Sequence, residues 1–153
     1  MKTDTKIYEA GIIANYFLYK AKGRLTPLQI QKLVYFAHGW SLAIYDEPLI
    51  SEPIEAWEYG PVIPSLYHLH KHHGGEIIGG FNPKQAKRIL EIQSLTALLD
   101  RIWEVYGELT GIELSILTHQ ENTPWKDARQ NGFPTITDES IAAYFKETLT
   151  EIA

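Results

Sequence analysis

Leu25-Thr-Pro-Leu-Gln-Ile-Gln-Lys-Leu-Val-Tyr-Phe-Ala-His-Gly-Trp40 carries a complete helix-start signal followed by a long apolar run. Thr26 is an N-cap residue, Pro27 fits the first helical position because its missing N–H is not needed there, and Gln29 completes a capping box. Behind that start signal Ile30, Leu33, Val34, Ala37, Ser41 and Ile44 recur at helical spacing, and Phe36, Trp40 and Leu42 widen the stripe. A helix this apolar over this much of its circumference belongs at the centre of a helical domain.

Working outward, the same logic finds further helices. Thr110-Gly111-Ile112-Glu113 is a second capping box, opening a helix through about Gln120, and Thr123-Pro124 starts a short helix that stops near Gly132. Periodicity predicts three more: Asp4 to Tyr19, with Ile7, Ala10, Ile13, Ala14, Phe17 and Leu18 inward; Ile92 to Tyr106, ending at Gly107; and one after Thr137 carrying Ile141, Phe145, Leu149 and Ile152. Pro64 can begin a helix through His73 with Val62, Leu66 and Leu69 as its apolar stripe, and Gly75 to Phe81 reads as a loop or strand. Pro48 to Ser51 and Ile54 to Tyr59 are short and rich in β-formers, and Gly60-Pro61 reads as the turn that follows them. The expected fold is mainly α: a compact single-domain bundle of about six to eight helices, with a small β-hairpin or edge element around residues 48–59. Residues 1–153 show neither linker nor repeat and are expected to form one domain.

The 153 residues are 44% hydrophobic and 22% charged, which excludes a disordered chain, and the absence of cysteine removes thiol chemistry and zinc ribbons. The net charge of −5 is unevenly placed: residues 1–75 carry seven basic and seven acidic side chains, residues 76–153 seven and twelve. That balance disfavours nucleic-acid binding, for which Lys84, Lys87 and Arg88 form only a small local cluster, and it suits a basic partner. The apolar run from Ala10 to Leu18 is broken by Gly11 and Asn15, well short of the roughly 20 residues needed to span a bilayer. With acidic Asp4 and Glu9 before it and no cleavage site behind it, it does not read as a secretory signal, so no membrane association and a cytoplasmic location are expected.

Chemistry-bearing patterns are sparse. His68 and His72 lie one helical turn apart within His68-Leu69-His70-Lys71-His72-His73, a spacing that can chelate a divalent metal, but no further ligand stands at a defined spacing and Lys71 sits inside the cluster. A metal-dependent enzyme built on that cluster is the minor alternative. Ser41, Ser65, Ser94 and Ser115 lack a nucleophile-elbow context, Glu55 and Glu58 fall on opposite faces of the expected strand, and the Gly74-Gly75 and Gly79-Gly80 pairs lack a phosphate-loop continuation. No catalytic residue, metal or cofactor is therefore assigned. Aromatic residues make up 12% of the chain. Trp57 and Tyr59 read as one side of a strand that leads into a rigid turn at Gly60-Pro61, and Trp125 stands in the first turn of a short helix. Trp57, Tyr59, Gly60, Pro61 and Trp125 are the partner-binding candidates, because aromatic side chains bring large apolar area with little rotamer entropy to lose.

Three blocks, Leu25 to Trp40, Pro53-Ile-Glu-Ala-Trp-Glu-Tyr-Gly-Pro-Val62, and Leu117-Thr-His-Gln-Glu-Asn-Thr-Pro-Trp125, together resemble the Panacea domain family of phage-associated, SocA-like and GepA-like antitoxins in order and spacing. Ile30 and Val34 stand where leucine is usual, and Gln29 where lysine is frequent, swaps that keep the apolar pattern. The resemblance implies a non-enzymatic antitoxin that neutralises a cognate toxin by direct contact or, as an alternative, an adaptor that presents the toxin to a Clp-type protease. It places Lys32, Tyr35, Trp40, Trp57, Tyr59, Gly60, Pro61, His119, Pro124 and Trp125 at motif positions, most of them expected to serve the fold and a minority to serve contact.

Overall fold

Thr26 caps the central helix as expected: its side chain accepts from the Gln29 N–H, and the Gln29 side chain accepts in return from the Thr26 N–H at 2.9 Å. This is α2 (Pro27–Tyr45) in a computed structural model that describes residues 7–152. Twelve of its residues are buried, including the polar Gln31, Lys32 and His38, so it is enclosed on nearly every side. Around it stand α1 (Ala10–Lys20), α3 (Pro64–His70), α4 (Pro83–Leu90), α5 (Gln93–Tyr106), α6 (Gly111–His119), α7 (Pro124–Gln130) and α8 (Asp138–Ile152), with a 3-10 turn at Lys71–His73. The architecture is mainly α with a small antiparallel sheet in the order β2-β1-β3, formed by β1 (Ile54–Trp57), β2 (Gly60–Val62) and β3 (Thr135–Ile136).

Of the surrounding helices, α8 packs most extensively on α2. Gly39 permits the approach: a Cβ there would lie 2.3 Å from the Phe145 ring. Phe145 is also edge-on to Tyr35, Phe36 and Trp40, and Phe36 stacks on Tyr106 at 4.2 Å. Buried His38 ties three segments together. Its Nδ1 accepts from the Leu49 and Ile50 N–H groups, which leaves Nε2 to donate to Asp138 at the start of α8 at 2.8 Å.

Four expectations need correction. The first helix starts at Ala10; Tyr8 is extended, its N–H donating to Leu49 at 2.8 Å and its carbonyl accepting from Ser51, and Ile7 is exposed rather than inward. The expected start at Asp4 lies outside the described residues. Second, Pro48 to Ser51 forms no strand with residues 54–59; among the described residues it makes a parallel bridge from Ile50 to Tyr8. The hairpin partner of β1 is instead β2, so Gly60-Pro61 is strand and Glu58-Tyr59 is the turn. Third, Leu69 is exposed and His70 is buried: Leu66 and His70, one turn apart, form the inner face of α3, which gives way to the 3-10 turn after His70. Ile44 and Leu149 are likewise at the surface. Fourth, α4 carries no expected helix: Asn82 caps it and Pro83 begins it, but only Ala86 and Ile89 are buried, too few apolar positions to register as a stripe.

Candidate functional site

The β1–β2 hairpin is held from three directions by residues remote in sequence. From α2, Lys32 Nζ donates to the Pro61 carbonyl at 2.8 Å, while its neighbour Gln31 clamps Ile63, accepting from its N–H at 2.9 Å and donating to its carbonyl at 3.0 Å. From α7, Trp125 Nε1 donates to the Trp57 carbonyl at 2.6 Å and Arg129 donates to the Ala56 carbonyl at 3.2 Å. From the end of α6, His119 packs edge-on against Trp125 with ring centroids 4.7 Å apart. Lys32, His119 and Gly60 then meet at one point: a Cβ on Gly60, whose φ is +133°, would lie 2.8 Å from Lys32 Nζ and 2.9 Å from His119 Nε2.

Burial sets the electrostatics of this point. Lys32 is 1% exposed, and desolvation of its ammonium lowers its pKa to about 8. His119 is pushed below the usual histidine value, first by burial and further by the Lys32 charge, against a hydrogen bond to the Tyr59 backbone that raises it. Among the described residues its Nε2, which is buried, has no hydrogen-bond partner. The amine is sealed beneath the hairpin. A cleft of about 480 Å³, lined by Tyr8, Ser41, Tyr45, Leu49 and Leu98 among others, includes none of these residues.

Of the five candidate contact residues, all stand on or against the hairpin, but they are presented differently. Gly60 and Pro61 are buried, and Trp125 is half-buried with its indole N–H committed to the backbone. Trp57 and Tyr59 do not share one face of a strand: β1 ends at Trp57, which is half-buried against Tyr67 and donates to Glu55 at 2.7 Å. Tyr59 is at the turn and 78% exposed. The backbone clamps Gln31 and Arg129 had no place among the candidates; a glutamine inside the apolar run of α2 was the available signal for the first. In the histidine cluster, the His72 and His73 rings lie tilted to each other with centroids 4.0 Å apart, while His70 turns inward. Among the described residues no group of three or more His, Asp or Glu is placed to hold a metal ion. Among the described residues, too, no helix is long and apolar enough to cross a membrane.

The three motif blocks converge on one hairpin, and the Antitoxin SocA-like, Panacea domain model matches residues 30–126; the chain belongs to that family. The match starts inside the first block and ends one residue beyond Trp125, so it contains the side-chain clamps Gln31, Lys32 and Trp125 but neither Arg129 nor β3. The chain is also 31% identical over 142 residues to Antitoxin SocA of Caulobacter vibrioides, an alignment that covers 84% of this chain and 74% of that protein. No solved structure matches it.

Proposed function

We propose that this chain is a non-enzymatic antitoxin that neutralises a cognate toxin by direct protein–protein contact, acting in the cytoplasm as one domain over residues 1–153. The observation that carries the reading is the use of the motif residues. Lys32, Gly60, Pro61, His119 and Trp125 are spent on fixing a hairpin, and the rigid turn they fix projects Tyr59 into solvent. A preorganised aromatic side chain on a clamped turn is a binding device, since little entropy remains to be lost on contact. Within the candidate set, Tyr59 and the outer edge of Trp57 make contact, and Gly60, Pro61 and Trp125 position them. No cofactor or metal takes part.

The test is co-expression with the protein encoded by the adjacent reading frame. Restored growth together with a stoichiometric complex supports neutralisation by occlusion. Restored growth with no complex and falling levels of the toxic protein supports delivery to a Clp-type protease instead. Unrelieved toxicity beside a free, folded chain contradicts the antitoxin reading.

A further inference from the structure

Helix α6 is apolar around most of its circumference, yet it is not enclosed. Leu114 and Thr118 face the core, while Ile112 is 71% exposed and Ile116 55%. Residues 112, 116 and 119 share one face of a helix, a row about 10 Å long. The row ends at His119, against Gly60 and the backbone of Tyr59. At its other end Leu28, also exposed, lies against Gly111. Exposed Leu28, Ile112, Ile116 and Tyr59 thus stand along α6 as an apolar strip from the start of α2 to the tip of the hairpin, with half-buried His119 between Ile116 and Tyr59. Scattered exposed apolar side chains are ordinary, but a strip of four from three elements is the kind of surface that a partner covers.

The charges around the strip indicate what covers it. Glu58 precedes Tyr59, Glu113 lies beside Ile112 and Glu121 follows α6, all three exposed. Glu121 is paired with Lys126 at 3.7 Å, but among the described residues no cation forms an ion pair with Glu58 or Glu113: Lys32 is sealed under Pro61 and Arg129 donates to the Ala56 carbonyl. From this geometry we infer that the α6–hairpin strip is the docking surface for a protein partner that presents an apolar anchor flanked by lysine or arginine. The inference rests on the antitoxin reading and makes that partner the neutralised protein. The apolar strip supplies most of the affinity, and the acidic rim supplies orientation and association rate.

The experiment titrates the purified product of the adjacent reading frame into this chain at low and high salt. Its variants are Ile112→Arg/Ile116→Arg, the milder Ile112→Ser/Ile116→Ser, and Glu58→Gln/Glu113→Gln, whose new amide at position 113 can still complete the capping box of α6. Both isoleucine pairs should weaken binding by about tenfold or more with an unchanged melting profile. The glutamine pair should weaken it about threefold at low salt and leave it unchanged at high salt. If the wild-type chain binds and all variants bind equally, the surface is wrong and the antitoxin reading stands. Binding that is insensitive to salt and to the glutamine pair overturns the basic partner. A wild-type dimer dissociated by the arginine pair assigns the strip to a second copy of the chain and overturns the inference. A wild-type chain that neither binds nor rescues overturns the antitoxin reading, and the inference falls with it.

Discussion

Gly60 is a glycine because Lys32 occupies the space in which its side chain would stand: a Cβ at residue 60 would lie 2.8 Å from Nζ, on a backbone with φ +133°. Gly60→Ala therefore meets both a strained backbone and a buried ammonium that must shift to make room. Strain and overpacking together should cost about 2–4 kcal/mol. Urea unfolding measures this directly, and a loss below about 1 kcal/mol would mean that the turn relaxes freely.

Lys32 gives the protein a pH dependence whose sign is fixed. Its folded pKa, about 8, lies below the ordinary 10.5, so between those values the unfolded chain holds more protons and stability rises with pH. Below pH 8 the buried charge lowers stability by a penalty on the order of 3 kcal/mol, removed as pH climbs to 10.5. Tyr16 and Tyr35, raised by burial, act oppositely above pH 10, so the useful quantity is the difference between wild type and Lys32→Met. That difference in unfolding free energy should change steadily from pH 8 to 10.5 and be flat from pH 7 to 7.5. A flat difference throughout would show that the ammonium is well solvated.

His119 and His70 are both pushed down, chiefly by burial, so each should titrate below the ordinary 6.5 in the folded protein. The unfolded chain then binds more protons just below pH 6.5, and stability falls as pH drops through that window toward the folded pKa values. Imidazole NMR resonances provide the check. A midpoint for His119 above 6.5 would mean that its proton is stabilised by the hairpin backbone rather than resisted by burial and Lys32.

Trp125→Phe keeps the ring against His119 and removes the donor to the Trp57 carbonyl. A loss of about 1–2 kcal/mol is expected, with faster amide exchange concentrated in β1 and β2. Uniform exchange across all helices would show that Trp125 is simply a packing residue.

The parts of the fold that were legible in the sequence are those written locally. Thr26 with Gln29, and Thr110 with Glu113, declare helix starts because donor and acceptor lie three residues apart. What was not legible depends on remote pairing or on thin signals. Tyr8 is extended because Leu49 and Ser51 take its backbone groups, and α4 buries only two side chains. The same division holds at the site. The three motif blocks could be seen, but not that Lys32 and Trp125 both hold the hairpin backbone, since their acceptors lie 29 and 68 residues away. Nor could periodicity separate Trp57, packed on Tyr67, from Tyr59, which faces solvent.

In the proposed function the motif residues hold the hairpin while Tyr59 makes the contact. The most direct measurement compares Tyr59→Ala with wild type in two assays: urea unfolding of the chain alone, and titration with the product of the adjacent reading frame. The expected result is unchanged stability, within about 0.5 kcal/mol, with binding weakened by about tenfold or more. Unchanged binding to a partner that the wild-type chain engages and neutralises would contradict it.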